Sequence, residues 1–495
     1  MSGNKSSRPR WVSALVGNWV GIFGLVVALC SLFAALFLIA IDFIHGFKRP
    51  YMGILVYLIL PSFIWFGLIF AGVGAWLERR RRKEPAAAEA PVVANGRRRT
   101  RQLVIAITCS FLFLLLSSLG SYRAFEVTES SQFCGALCHT VMKPEYVTYK
   151  ISPHSRVRCT ECHIGPGASW FVRAKLSGLY QVYATVTNTY PRPIPVPVQN
   201  LRPSPETCEQ CHWPAKFFGW VELRRHFFLP DRENTPWPIR LLVNVGGGEP
   251  TKGPVEGIHW HMYVGNRIEY IATDEGRQTI PWVRVTNRET GAVTIYESED
   301  NPLTPEQKNL PQRVLDCVDC HNRPTHIFDS PYRALDNSLW LQRVDSAIPD
   351  IKMKAAKALD QAAGAVSQAQ GIALISQALS KEYSDYKDQP KIGKAISETQ
   401  RIFRDFFFPE MKTDWKVRPD NIGHYNWPGC FRCHDGSHID KTGRAVSKGC
   451  NICHIITAQG TQQPETVSLK GLKFDHPGGE VPPEFLCNQC HTGAP

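Results

Sequence analysis

Cysteine without a companion is almost missing from this 495-residue sequence. Of 16 cysteines only Cys30 and Cys109 stand apart from a second one, and both lie in apolar runs that suit a small buried hydrophobe. The rest fall in close pairs followed at once by histidine, which neither a disulfide framework nor a zinc ribbon requires. Uncompensated charge is also scarce over most of the chain. The formal net charge is +12, but residues 1–10 and the run LERRRRKEPAAAEAPVVANGRRRTR hold 12 basic residues against three acidic ones (Glu78, Glu84, Glu89) and account for +9 of it. The chain beyond Tyr122 is close to neutral, so the basic balance does not point to nucleic acid as a partner. Core-building apolar stretches are few there too, and the cysteine-rich segments must pack on something other than one another.

What is present is a repeated unit. C-x-x-C-H occurs six times: Cys159/Cys162 with His163, Cys208/Cys211 with His212, Cys317/Cys320 with His321, Cys430/Cys433 with His434, Cys450/Cys453 with His454, and Cys487/Cys490 with His491. In this unit two sulfurs hold the vinyl groups of haem as thioethers, and the histidine is placed under the iron as proximal ligand. A seventh copy, CGALCH, spans Cys134, Cys138 and His139 and has three residues between its cysteines instead of two. The sequence therefore predicts seven covalently bound haem c groups, with porphyrin faces as the missing packing surface. At the first site the additional residue either displaces His139 from the iron or bulges out and leaves it there.

Three apolar stretches, Val16 to Ile44, Tyr51 to Trp76 and Leu103 to Tyr122, are each long enough to cross a hydrocarbon core of ~30 Å. The first is too long for a signal peptide and lacks a small-residue cleavage site before the next span. Both basic segments should stay in the cytoplasm, since the short loop between the first two stretches holds only Lys48 and Arg49. An odd number of spans then delivers everything after Tyr122 to the periplasm, where bacterial c-type haem is attached. The expected location is the bacterial cytoplasmic (inner) membrane, multi-pass, with a cytoplasmic N-terminus and a periplasmic haem domain. The basic runs serve topology and anionic lipid.

The motifs divide the chain unevenly. Residues 1–122 read as the membrane anchor, with a cytoplasmic linker at 77–102, and 123–235 as a region of three haem motifs. Residues 236–316, with LLVNVGGG, GIHWHMYVG, RIEYIAT, PWVRVTN and AVTIYES, read as a small antiparallel β-rich insert. The fourth motif occupies 317–349, a helical insert rich in Ala, Lys, Gln and Leu covers 350–412, and 413–495 holds the last three motifs. The expected fold is a membrane-anchored multihaem cytochrome c. It has three transmembrane helices and a mostly irregular and α-helical periplasmic domain, into which the β region and the helical segment are inserted.

An apolar helix leading into a haem motif, then CHTVMKPEYVTYKISPHSRVRCTECH with Met142 after the first CH and SPH before the second motif, resembles the NapC/NirT/NrfH group of membrane-anchored multihaem cytochromes c. The resemblance covers about Leu103 to His226. The remainder is more like the longer NapC/NirT-type cytochromes of metal-respiring and related anaerobic bacteria. It implies oxidation of quinol, with menaquinol the expected substrate, drawn from the membrane pool at haem 1. Electrons pass on to a periplasmic or outer-membrane redox acceptor protein, and the two helices additional to the single-anchor family either wall the quinol pocket or dock an integral-membrane partner subunit. It also implies Met142 as the axial ligand of haem 1, His154 as a distal ligand, and Lys175 beside the quinol pocket. The family's acidic residue has no obvious counterpart, because 168–190 contains no Asp or Glu. Gln181 occupies that neighbourhood, and Asp42 and His45 are candidates to replace it.

Nine histidines lie outside the motifs. His45 belongs to the short loop near the bilayer, which leaves eight candidates for the distal ligands of six bis-histidine haems: His154, His226, His259, His261, His326, His424, His438 and His476. His326 and His438 follow their own motifs too closely to reach those irons and would serve neighbouring haems. His259 and His261 alternate on an expected strand and so share one face, where one of them is enough. Three functions stand: a quinol-oxidising electron conduit, an electron-relay subunit of a larger membrane complex without its own quinol site, and a terminal oxyanion reductase. The last needs an open iron, against which the supply of histidines argues.

Overall fold

The computed structural model describes residues 18–45, 59–81, 96–137, 139–165, 168–198, 201–247, 255–462, 470–482 and 485–495. The chain forms two compact units, Met1–Phe133 with Cys159–Tyr180, and Cys134–Arg158 with Gln181–Pro495.

The first unit is built on helices α1 (Trp19–His45), α2 (Leu60–Arg81) and α3 (Gly96–Thr128). Among the described residues two stretches are long and apolar enough to cross a membrane, Trp19–Ala40 and Leu60–Arg81, where three were expected. The third expected run lies within α3, whose 33 residues also include the GRRRTR start and an Arg123–Glu126 ion pair of 2.9 Å, so the helix is apolar over only part of its length. α1 and α2 touch along a seam of small residues. A methyl group on Gly67 would lie 2.6 Å from both the Ala28 nitrogen and the Gly24 oxygen, and one on Gly24 would strike the backbone of Ala71 and Gly67. Such residues let helix backbones meet where no hydrophobic effect drives association. Asn18 closes one end of the seam: its Nδ2 donates to the Gly74 carbonyl at 2.6 Å and its Oδ1 accepts from Gly21 N at 2.9 Å. Phe113 of α3 packs its ring against Phe23, Phe63 and Phe66, with centroids 5.7–5.9 Å apart. Phe33, Phe37, Trp65 and Ile69 face outward, as on helices apolar around their whole circumference. Cys30 and Cys109, expected to be buried, are likewise exposed; on such helices a small apolar side chain can be covered by lipid instead of by packed chain.

In the second unit, α4 (His139–Lys150) follows the first motif. Helix α5 (Ala168–Val186) begins in the first unit and ends in the second. Two antiparallel sheets come next. The first has the order β1 (Trp220–Phe228), β2 (Pro236–Asn244), β8 (His454–Gln459), and the second β6 (Arg313–Val314), β3 (Asn266–Ile271), β4 (Trp282–Asn287), β5 (Val293–Ser298), β7 (His438–Asp440). The expected β-rich insert thus does not close on itself: β1 comes from before residue 236, and β7 and β8 come from the last haem region. GIHWHMYVG, expected as a strand, is a 3₁₀ turn over Ile258–Met262, entered through Gly257 at φ 76°. Here the local bond from Trp260 N to the Gly257 carbonyl replaces a ladder partner.

The expected helical segment is α7 (Ile351–Ala363), α8 (Gln368–Glu382) and α9 (Gln389–Phe406), preceded by α6 (Pro331–Trp340). Ser330, Ser367 and Asp388 cap α6, α8 and α9 through side-chain oxygens. Their apolar faces form the main core, with Leu335, Leu359, Ile375 and Phe403 fully buried, and Val141 of α4 and Phe228 of β1 join it. Lys352 and Asp336 pair inside this core at 2.5 Å. The Asp336 oxygen also accepts from Phe228 N at 2.9 Å, which ties β1 to the helices. Leu359→Ala should lower stability by roughly 2–5 kcal/mol, read as a lower urea midpoint for the loss of far-UV helix signal in the haem-loaded protein.

Candidate haem sites

Each described C-x-x-C-H unit opens on one helical turn, and in the sixth the turn is Cys450–Ile452 and His454 already begins β8. The backbone N–H of the histidine donates to the carbonyl of the first cysteine at 2.8 Å (His212 to Cys208), 2.7 Å (His321 to Cys317), 3.0 Å (His434 to Cys430) and 2.9 Å (His491 to Cys487). Residues three and four apart on such a turn share a face, so both sulfurs and the imidazole are presented together. The first motif departs as its spacing demands. Phe133–Leu137 is a single π-helical turn, which closes i to i+5 and takes up one residue more than an α turn. The extra residue is thereby absorbed in a wider turn, and the Tyr146 ring fills the space over Gly135, where a Cβ would strike it. Cys138 and the side chain of His139 lie outside the described residues. Met142 is half-buried on α4.

The chain does not enclose the expected haem-binding cysteines equally. Cys162, Cys211 and Cys490 are exposed, whereas their partners Cys159, Cys208 and Cys487 are half-buried. The same division holds in the other pairs, with Cys320, Cys430 and Cys450 exposed and Cys317, Cys433 and Cys453 half-buried. An exposed thiol is a departure from a cysteine built into a closed cofactor site. Its physical reason is that a one-turn helix packs one side on the protein and turns the other outward, where a porphyrin edge joined to both sulfurs would provide the cover.

No disulfide joins the described cysteines. Burial pushes the thiols of Cys317 and Cys453 up to about 11 and that of Cys433 to about 12. The fourth motif is anchored through its own interior. Asp319 is fully buried and accepts from Tyr270 Oη at 2.7 Å, Arg313 Nε at 3.0 Å and Arg277 Nη1 at 3.1 Å, while Arg432 of the fifth motif donates to the Asp319 carbonyl at 2.7 Å. A buried carboxylate so surrounded fixes motif 4 on the second sheet.

The histidines come together in pairs. Ring centroids are 6.1 Å apart for His154 and His212, 6.3 Å for His259 and His321, 5.8 Å for His261 and His434, 6.2 Å for His424 and His454, and 5.9 Å for His476 and His491. An imidazole nitrogen binds a transition metal at ~2 Å and sits ~1 Å from its own ring centroid, so two rings on opposite sides of one iron have centroids ~6 Å apart. Every one of the five pairs joins a motif histidine to one outside the motifs, at the spacing an iron between them requires. Several rings are also aimed. Nδ1–H donates to a carbonyl at 2.9 Å in His154 (Pro324), His259 (Val245) and His326 (Glu145), at 2.8 Å in His261 (Ile258) and at 2.7 Å in His434 (Ser447). Nε2 is the nitrogen this leaves for a metal. Burial lowers the pKa of His259, His261, His424, His454 and His491, favouring the neutral ring that ligates. The residues fit haem c.

Two of the expected distal ligands lie outside these pairs. His438 is buried with both nitrogens engaged, Nδ1 with Asp435 at 2.9 Å and Nε2 with the Ile280 carbonyl at 2.6 Å. Burial alone would depress its pKa, but those hydrogen bonds and the Asp435 charge outweigh burial and raise it. His226 stacks face to face on Trp340 at 3.5 Å and 9°, and no motif histidine is paired with it among the described ring contacts. The strand expectation for His259 and His261 is corrected as well, since on the 3₁₀ turn they meet two different motif histidines.

The matches to known proteins agree with this geometry. Residues 97–193 match the NapC/NirT cytochrome c family, N-terminal region. Over 98% of its length the chain is 39% identical to the cytochrome c-type protein ImcH of Geobacter sulfurreducens, 97% of which is covered. The chain belongs to the NapC/NirT cytochrome c family. No solved structure matches it. As a NapC/NirT cytochrome it is a membrane-anchored electron-transfer protein with covalently bound haem c, and its apolar N-terminal helices suit the anchor.

Lys175, expected from sequence beside a quinol pocket, has a partner that the sequence reading did not name. Lys175 on α5 pairs with Glu129 at 2.7 Å, and Glu129 is almost fully buried. Its second oxygen, Oε2, is buried with no hydrogen-bond partner among the described residues. Glu129 lies outside 168–190. The signal for it is an acid immediately after the last residue of α3, five residues before Cys134. Gln181, six residues beyond Lys175, is about 240° around α5 from it and is exposed. The side chains of Asp42 and His45 lie outside the described residues. Replacing His424 by alanine should turn one haem from low-spin to high-spin, whereas His438→Ala should leave every haem's spin state unchanged; absorption and electron paramagnetic resonance spectra read both.

Proposed function

We propose that this cytochrome carries seven haem c groups and oxidises membrane quinol, handing electrons to a periplasmic or outer-membrane acceptor protein. The haems, when bound, supply a series of one-electron iron centres. Cys134/Cys138 and the six C-x-x-C pairs hold them. The five histidine pairs orient five irons, His326 and His226 are the remaining distal candidates, and Met142 or His139 serves at the first site. Three spans, with Leu103–Tyr122 as the third, a cytoplasmic N-terminus and a periplasmic haem domain complete the arrangement, favoured by the basic residues flanking the apolar runs.

The observation that carries the quinol reading is the Lys175–Glu129 pair. Oxidising a quinol releases two protons, and a base must stand where the hydroxyl arrives. Glu129 has one oxygen held by Lys175, and its other is a buried acceptor. It follows α3 directly, where the third apolar run leaves the bilayer. Helix α5 leaves Leu176, Leu179, Tyr180 and Tyr183 exposed at i, i+3, i+4 and i+7, a face suited to the membrane interface and to a quinol ring. Lys175 holds the carboxylate in place.

Purified protein in liposomes should be reduced by a menaquinol analogue and inhibited by a quinone-site ligand. Lys175→Ala and Glu129→Gln should each slow that reduction by one or more orders of magnitude, with haem content unchanged. A wild-type chain that stays oxidised with quinol and is reduced only when a membrane partner is added would make it a relay subunit instead. Intact mass after denaturation should show seven retained haems, and six would mean that the widened first turn does not support attachment.

A further inference from the structure

We propose that the Ile258–Met262 turn is a double clamp, supplying the distal ligands of two haems from one piece of backbone and making those two irons electronically unlike. This rests on the bis-histidine reading of the ring pairs. On a 3₁₀ turn residues two apart point ~240° apart, whereas on a strand they would point the same way. His259 therefore meets His321 of the fourth motif while His261 meets His434 of the fifth. Those motifs are separated in sequence by the whole helical segment. Each ring is fixed independently, His259 by the Val245 carbonyl at the end of β2 and His261 by the Ile258 carbonyl of its own turn. Trp260, between them, packs against the core of the second sheet beside Cys433.

The two pairs differ in the twist of one ring against the other: 3° for His259 and His321, 86° for His261 and His434. The filled π orbital of an imidazole stands perpendicular to its ring and mixes with one of the two iron d orbitals of π symmetry. Parallel rings act on the same d orbital and split the two widely. Crossed rings act on one each and leave them nearly equal in energy. The ferric haem held by His259 and His321 therefore gives a rhombic low-spin spectrum. The one held by His261 and His434 gives a strongly anisotropic spectrum with a single feature at high g. The turn is clipped in place at Gly257, where a methyl group would lie 2.5 Å from the Asn244 carbonyl oxygen and 2.7 Å from its Oδ1, so any side chain there displaces both ligands together.

The test is low-temperature electron paramagnetic resonance of the full-length, haem-loaded, oxidised protein, with haem count by intact mass as the check on assembly. His259→Ala should remove one rhombic component, His261→Ala one high-g component, and Gly257→Ala should alter one of each with all haems retained. Should the alanine variants lose haem, His259→Met and His261→Met, which keep a sixth ligand, should each produce one methionine–iron absorption band. If both single substitutions change the same component, or Gly257→Ala changes only one, the double clamp is wrong and the bis-histidine reading stands. If neither histidine affects any low-spin component, the bis-histidine reading itself is wrong.

Discussion

An iron bound between two imidazoles fixes a separation of ~6 Å between ring centres, and the second unit is organised to deliver that separation repeatedly. The partners are seldom neighbours in sequence. His154 reaches His212 across the second motif, and His261 reaches His434 across the β strands and the helices. Holding rings that far apart without letting them collapse into contact requires rigid support. It comes from carbonyls aimed at Nδ1, from Asp319 buried under three donors, and from a helical core that carries α4 and β1 on its surface. The stacked His226 and Trp340, at 3.5 Å, show how much closer two rings come with nothing between them.

Much of this was legible in the sequence. Cysteine spacing alone located the motif turns, apolar runs located two helices of membrane-spanning length, and Ala, Lys, Gln and Leu composition located the helical segment. Spacing did not show which cysteine of each pair the chain covers, because that depends on which side of the turn meets the rest of the fold. Pairing was less legible still, because it depends on local backbone conformation. Read with period two, GIHWHMYVG puts both histidines on one face; folded through Gly257 as a 3₁₀ turn it sends them apart. His438 looked like any spare histidine until Asp435 and the Ile280 carbonyl took both its nitrogens. Glu129 escaped for another reason: a search along α5 cannot find a partner that sits 46 residues away on another element.

The additional residue in CGALCH is a case where an irregular spacing and an irregular turn explain each other. A π turn is costly in a free helix and persists where something is gained from it. It stands at the point where the anchor gives way to the haem-bearing chain, and takes in the residues from Cys134 to Leu137 over which the spacing is wider.

The borrowing of strands from the far end of the chain has a consequence for assembly. β2 finds its outer neighbour β8 more than 200 residues later, and β5 finds β7 some 140 residues later. A chain emerging from its N-terminus has β1 to β5 available long before either edge can be covered, and open edges invite pairing with other chains. Contacts this distant close slowly. The two sheets are therefore completed last, by the segments that bring in the fifth and sixth motifs. A chain cut short before β7 would retain its first motifs but expose two unpaired sheet edges, a form prone to aggregate rather than to act as a shorter cytochrome.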